Sequence, residues 1–128
     1  MSTPWTTPSE GSTYEVFRMA EFQLELAKPL EALRTLEPVI EELAGSAAAQ
    51  TLLGRAYFQS AQLGRAQDAF ERVVALDPVD HYARFALGRT LERQGRSEEA
   101  VGQYRVAVAM HDSPDYRERL DKLTDESD

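Results

Sequence analysis

The chain has 128 residues, of which 42% are apolar, and a formal net charge of −8. This length and composition suit one folded domain with a sizeable core, and exclude two ordinary domains or a disordered chain. The acidic balance disfavours binding to nucleic acid or anionic lipid, and the absence of Cys excludes disulfides and thiolate sites. No stretch approaches the ~20 consecutive apolar residues of a membrane span. We therefore expect a soluble, cytoplasmic protein without a signal peptide.

Residues 1–12 contain two prolines and Trp5, which is the one Trp of the chain. This segment contains turn-forming residues and shows no helical pattern of apolar residues, so we predict a flexible N-terminal arm. Ser12 and Glu15 have the spacing of a capping box, in which each side chain satisfies a free backbone N–H of the first turn. This spacing predicts that the first helix begins at residue 13.

From residue 13 onward, apolar residues recur with the period of helices, and no segment alternates like a strand. The fold class is therefore predicted to be all-α. The expected helices lie near 13–27, 29–43, 47–60, 64–76, 81–94, 97–110 and 114–123. The expected turns contain Lys28-Pro29, Gly45-Ser46, Leu63-Gly64, Asp77-Pro78 and Gln94-Gly95. Residues 124–128 are predicted to form an acidic tail.

A longer period underlies the helical pattern, because Leu53-Gly54 recurs as Leu87-Gly88. The number of residues from Leu53 to Leu87 is the interval that we call the repeat interval. It also separates Arg55 from Arg89, Ala66 from Ala100, and Phe70 from Tyr104. A fixed period of this kind predicts structural units that bury their apolar faces by stacking on one another. We assign the units to residues 13–46, 47–80 and 81–114, followed by a helix over 114–123 that covers the open end with Tyr116, Leu120 and Leu123.

The order of a Leu-Gly pair, an aromatic residue, an Ala, a second aromatic residue and a Pro resembles the tetratricopeptide repeat. Residues 47–112 follow this pattern closely, whereas 13–46 follow it more loosely. The resemblance implies a domain over 13–123 with three helix-turn-helix repeats, stacked as a right-handed α-solenoid with a C-terminal capping helix. Gly88 is then expected where two helices of one repeat approach closely, and Phe70 and Tyr104 between neighbouring repeats.

The first helix of the third repeat has two distinct sides when its residues are placed about 100° apart. One side carries Leu87, Gly88 and Leu91, which are expected to pack. The family resemblance implies that the other side lines a concave groove. The residues predicted to line it are Tyr14, Phe17, Thr51, Arg55, Phe58, Tyr82, Phe85, Arg89, Glu92 and Arg93. Aromatic residues and Arg dominate interface energetics; the alternative is that the aromatics pack between helices and the arginines form internal salt bridges.

The resemblance implies a protein–protein interaction module, such as an adaptor, co-chaperone or assembly factor, that binds a peptide with an apolar anchor and acidic groups. A subgroup of the family grips acidic chaperone C-termini with Lys, Asn and Arg. The matching positions here hold no suitable donor: Phe17, Glu21, Leu52, Tyr82 and Ala86. Two alternatives stay open, namely a secretion-type chaperone that shields an apolar export segment and a self-assembly module that associates through its first repeat.

Catalysis has little support in the sequence. His81 and His111 are far apart along the chain and have no ligand partner at metal-site spacing. The Leu-Gly-Arg segments at 53–55 and 87–89 lie within predicted helices and form no phosphate-binding loop. We therefore expect no enzymatic activity, no catalytic residues, no metal site and no cofactor.

Overall fold

The computed structural model describes residues 10–126, with side-chain surroundings from residue 13 to residue 125. Over residues 10–126 the chain forms helices and turns, with no strand. The α-helices are α1 (Glu10–Glu25), α2 (Pro29–Leu36), α3 (Ala47–Gln59), α4 (Leu63–Leu76), α5 (His81–Arg93), α6 (Ser97–Met110) and α7 (Pro114–Glu126). None of these helices combines the length and the apolar character that a bilayer crossing requires. The predicted all-α class is confirmed.

Both ends of the helical region differ from the sequence prediction. α1 begins at Glu10, so Ser12 lies inside the helix and the predicted capping box is wrong. α7 continues to Glu126 and so extends into the predicted acidic tail. Residues 1–9 of the predicted arm, with Trp5, lie outside the described residues.

α2 is shorter than predicted, because it ends at Leu36 instead of continuing to residue 43. A single 3₁₀ turn, Glu37–Val39, follows it and contains Pro38. Proline lacks the N–H that would bond to the carbonyl of Arg34, and its ring clashes with that carbonyl in an α-helix. The chain therefore tightens at Pro38 and reaches α3 through a series of turns.

The turn inside each helical hairpin uses a left-handed backbone at one repeated position. Ala27 has φ 60°, Ala61 has φ 62° and Gly95 has φ 81°, and successive members of this set are separated by the repeat interval. The turn between α3 and α4 contains Ala61, whereas Leu63 and Gly64 lie inside α4. The predicted turn at Leu63-Gly64 is therefore wrong. Only the third repeat has glycine, the residue that tolerates a positive φ without strain.

The helices pack as consecutive antiparallel pairs. α1 packs on α2, α3 on α4 and α5 on α6, and the second helix of each pair also contacts the next helix along the chain. The core forms two clusters. One joins the first two repeats around Leu36 and Leu53, and the other joins the last two repeats and α7 around Phe70 and Tyr104. Tyr57 packs against both clusters, so the core is continuous along the stack.

A glycine and an aromatic ring set the closest approach of the helices in two of the pairs. A methyl group at Gly54 would lie 2.6 Å from the ring of Phe70, and one at Gly88 would lie 2.6 Å from the ring of Tyr104. Both rings are almost completely buried. The expected position of Phe70 and Tyr104 between repeats is therefore only part of their role, because each also presses on the glycine of its own repeat.

Replacing Gly88 tests this packing. Ala is a better helix former than Gly by ~1 kcal/mol, but overfilling a packed core costs ~1–3 kcal/mol. Because the new methyl group would lie 2.6 Å from the Tyr104 ring, Gly88→Ala should lower the free energy of unfolding by about 1 kcal/mol. Gly102→Ala is the control, since a Cβ added at this helical position would meet no neighbouring group within 4 Å, and it should raise stability by up to ~1 kcal/mol. Urea unfolding of both variants decides the matter, and stabilisation by both would contradict the packing.

Ala61→Gly should stabilise the protein, because Ala61 has φ 62°. The left-handed conformation costs a residue with a Cβ ~1–2 kcal/mol, whereas the extra freedom of glycine in the unfolded chain costs ~0.4–1 kcal/mol. A net gain of about 0.5–1 kcal/mol is expected. Gly95→Ala makes the reverse change at the same position of the next repeat and should lower the melting temperature. Thermal unfolding that moves both variants in one direction would refute the strain argument.

Candidate functional site

A pocket of about 190 Å³ lies between α3 and α5. α3 and α5 are the first helices of the second and third repeats, and their side chains form the two walls of the pocket. Phe70 of α4 closes the pocket from the core side. The residues that line it are Arg55, Phe58, Gln59, Phe70, Tyr82, Phe85, Ala86 and Arg89. The structure thus brings together part of the predicted groove set, namely Arg55, Phe58, Tyr82, Phe85 and Arg89.

The repeat period explains why the two arginines face one pocket. Arg55 and Arg89 are separated by one repeat interval and occupy the same turn of equivalent helices. Both helices are capped at the same point, because the Ser46 hydroxyl accepts from the backbone N–H of Ala49 and the Asp80 carboxylate accepts from that of Ala83. A defined start fixes the phase of each helix, and hence the direction in which the two arginines project.

Arg55 and Arg89 form no ion pair with a carboxylate of the described residues. The ion pairs among the described residues involve other arginines and Lys28, and neither of these two takes part. Burial raises the pKa of Tyr82, and the charges of Arg55 and Arg89 act in the opposite direction. Both guanidinium groups therefore lie near the Tyr82 phenol. Among the described residues, these arginines therefore do not form the internal salt bridges of the alternative interpretation.

Phe58 forms the aromatic surface on which the arginines of α5 rest. The Arg89 guanidinium carbon lies 5.5 Å from the ring centroid of Phe58, and that of Arg93 lies 4.8 Å away. Arg93 also donates to the backbone carbonyl of Phe58 at 3.5 Å. These cation–π contacts leave both positive charges unneutralised, and a guanidinium has more N–H donors than one such bond uses, so donors remain for an acceptor.

Phe85 connects this pocket to α7. Its ring stacks on Tyr116, with centroids 4.4 Å apart and planes at 20°. A second depression of about 270 Å³ begins beside Phe85 and Arg89 and is lined by Asp115, Glu118, Arg119 and Lys122. These α7 residues are not among the predicted groove residues. Continuing the period would have found one of them, because Arg119 lies one repeat interval after Phe85.

The remaining predicted groove residues lie outside the pocket. Tyr14 is exposed on α1 with Glu15, Arg18, Met19 and Phe22 around it. Phe17 packs against the first core cluster. The Thr51 hydroxyl donates to the carbonyl of Ala47 in its own helix. The first repeat therefore contributes no side chain to the pocket.

Two histidines that are distant in sequence meet at the end of the stack. The rings of His81 and His111 stack with centroids 4.1 Å apart, and Nδ1 of His81 is 2.8 Å from the Tyr116 hydroxyl. This contact joins the start of α5 to the end of α6 and to α7. Within the described residues, no group of three or more His, Cys, Asp or Glu side chains is placed to hold a metal ion.

Glu92, another predicted groove residue, links three helices. Its Oε1 accepts a hydrogen bond of 2.7 Å from the Tyr104 hydroxyl of α6, and its Oε2 is 3.6 Å from Nη1 of Arg119 of α7. Burial of the phenol, and the hydrogen bond to Glu92, raise the pKa of Tyr104 well above its usual range. The contacts of Glu92 therefore fasten α7 to the third repeat.

Comparison with known proteins agrees with this geometry. Residues 51–116, just over half of the chain, match the tetratricopeptide repeat family. No curated protein matches the sequence. The crystal structure of MamA superimposes with a TM-score of 0.84 at 19% identity, over 92% of this chain and 70% of its own.

Two further solved structures show the same helical solenoid. The first tetratricopeptide repeat domain of Spaghetti (RPAP3), bound to the HSP90 peptide SRMEEVD, has a TM-score of 0.84 at 16% identity, over 92% of this chain and 94% of its own. MamA 41-end from Desulfovibrio magneticus RS-1 has a TM-score of 0.71 at 27% identity, over 77% of this chain and 57% of its own. The predicted family and solenoid fold are confirmed.

The Tyr104 hydroxyl should make stability depend on pH in the alkaline range. Because the pKa of Tyr104 is raised in the folded state, the folded protein keeps a proton that the unfolded chain loses near pH ~10. This contribution is complete below about pH 10 and declines above it by about 1.4 kcal/mol per pH unit. Tyr104→Phe should remove that slope. Urea unfolding between roughly pH 9 and pH 11 measures it, and parallel curves for the two proteins would contradict the buried hydrogen bond.

Proposed function

Because this chain belongs to the tetratricopeptide repeat family, we propose that it is a protein–protein interaction module that holds a peptide segment in the pocket between α3 and α5. The observation that carries the proposal is the pair Arg55 and Arg89, which lie beside an aromatic pocket and form no ion pair within the described part of the chain. The chain as a whole has a net charge of −8, so this local positive surface contrasts with its surroundings.

The arginines select for acidic groups. A guanidinium takes a carboxylate through two parallel N–H···O bonds, and such charge-assisted bonds are about twice as strong as neutral ones. The charges of Arg55 and Arg89 attract a carboxylate more strongly in the pocket than on an open surface, because the pocket walls exclude part of the solvent. The peptide should therefore carry at least one Asp or Glu, placed against Arg55 or Arg89.

The aromatic walls select for an apolar anchor. Phe58, Phe70 and Phe85 line the pocket, and its volume of about 190 Å³ is below the range of typical small-molecule sites, ~300–1,000 Å³. One large apolar side chain is a better match for this space than a cofactor. Anchors of this kind, buried in a pocket with a polar rim, supply most of the affinity in many interfaces.

The Spaghetti domain offers a chemical parallel, because its HSP90 peptide SRMEEVD combines Met and Val with acidic residues. This chain lacks the Lys and Asn donors that the chaperone-binding subgroup uses, as its positions hold Phe17, Leu52 and Tyr82 instead. We therefore propose a peptide of similar mixed character that is read by Arg55 and Arg89. An adaptor, a co-chaperone and an assembly factor all use such binding.

A peptide-display library with one aromatic or Leu position and one Asp or Glu position tests the proposal. Selected peptides should lose at least about 100-fold in affinity for Arg55→Glu/Arg89→Glu, because two charge-assisted contacts of ~1.5–3 kcal/mol each are lost. Arg72→Glu/Arg105→Glu is the matched control, with the same charge change at exposed positions of α4 and α6. Circular dichroism confirms that both variants fold.

Three results would refute this function. Selection could enrich no acidic residue, the double variant of Arg55 and Arg89 could keep full affinity, or the control pair could lose as much affinity as the pocket pair. The last result would show that overall charge, and not the pocket, attracts the peptide.

A further inference from the structure

Within the described residues, the outer face of α1 is a helix-packing surface that stays exposed. We define this α1 outer face by Glu15, Arg18, Met19 and Phe22, which lie on the side of α1 opposite Ala20 and Leu24 of the core. Met19 is 52% exposed and Phe22 is 55% exposed. Large apolar side chains in a contiguous exposed group mark an interaction surface more often than isolated ones do.

The repeat period shows what normally covers this face. The equivalent residues of the later repeats lie one and two repeat intervals further along, and all are buried: Ala49, Leu52, Leu53 and Ala56 of α3, and Ala83, Ala86, Leu87 and Thr90 of α5. α2 packs against α3 and α4 packs against α5, whereas the main contacts of α1 within the described region are with α2 and α3. The first repeat therefore presents a surface that elsewhere receives an antiparallel helix.

The charges on the α1 outer face complement their own reversed copy. Glu15 and Arg18 are one helical turn apart on the face, which carries no net charge in a protein of net charge −8. If a second α1 lies antiparallel, with the two-fold axis between Val16 and Phe17, Arg18 of each copy faces Glu15 of the other. Met19 then faces Tyr14, which is 63% exposed. Arg18 pairs within its own helix with Glu21 at 2.8 Å, but exposed pairs of this type contribute little and exchange readily.

From these observations we propose that the α1 outer face is a dimer interface between two copies of this chain. A two-fold arrangement uses the same patch on both copies and closes without leaving a second open surface. It supplies the antiparallel helix that α3 and α5 receive from within the chain. The interface lies on the first repeat, away from the pocket of Arg55 and Arg89, so it is independent of the proposed peptide binding.

Sedimentation velocity of the full chain over a range of concentrations tests this inference. The mass should rise with concentration from that of one 14.4 kDa chain toward twice that value. Phe22→Ser should abolish the rise, because it removes the largest apolar side chain of the face from an exposed position. Leu76→Ser is the matched control, since Leu76 is also exposed but lies on α4, and it should leave the dimer unchanged.

Charge exchange tests the antiparallel arrangement itself. Arg18→Glu should weaken the dimer by about tenfold, as two salt bridges become two repulsive pairs. Glu15→Arg should do the same. Mixing the two variants should restore a dimer, because one copy then carries two negative and the other two positive side chains on the face. The double variant Glu15→Arg/Arg18→Glu should also dimerise as the wild type does.

Several outcomes would overturn the inference. The wild-type chain could stay monomeric at all concentrations, it could dimerise equally well with Phe22→Ser, or the mixture could fail to associate. If the wild-type chain is monomeric and deletion of residues 1–9 produces dimers, the occupant of the face is the chain's own N-terminal segment and not a second copy.

Discussion

The contact between a glycine in the first helix and a ring in the second helix determines how closely the helices of a repeat can pack. Gly54 meets Phe70 and Gly88 meets Tyr104, each at a distance that leaves no space for a Cβ. In the first repeat, Ala20 and Leu36 occupy the same two positions, and both are fully buried. Ala is larger than Gly, and Leu is smaller than Phe or Tyr. The combined volume of the two side chains therefore stays similar along the stack.

This packing also shapes the candidate binding pocket. Phe70 presses on Gly54 from one side and lines the pocket from the other, so the same ring supports the core and closes the site. Because a packed core is rigid, α3 and α5 hold the backbone positions of Arg55 and Arg89 in fixed relation. Preorganisation of this kind lowers the entropy lost on binding.

The two ends of the stack differ in how their apolar surfaces are covered. At the C-terminal end, α7 packs on α6, Tyr116 stacks on Phe85, and Glu92 holds Arg119. α7 thus takes the place that the first helix of another repeat would occupy. At the other end of the described region, Met19 and Phe22 remain exposed on α1. Stacked repeats bury their apolar faces only against neighbouring helices, and within the described residues α1 lies at the end of the stack.

The sequence alone determined the repeat, the all-α class and most of the helix positions. These follow from local rules, because the helical apolar period and the small residue at each close contact recur at the repeat interval whatever the tertiary arrangement. Local sequence signals did not predict the helix ends correctly where two signals favoured different ends. Pro38 ended α2 despite a continuing apolar pattern, and Ser12 lies inside α1 despite its capping-box spacing.

Only the tertiary structure decided which predicted groove residues meet. Tyr14, Phe17 and Arg55 occupy similar helical phases, yet Arg55 lines the pocket, Phe17 joins the core and Tyr14 lies on the surface. Helical phase gives the direction of a side chain from its own axis. What it meets depends on the neighbouring helix, and within the described region α1 has none on its outer side. The same dependence explains the paired rings of His81 and His111, which are distant in sequence and are brought together by the packing of α5, α6 and α7.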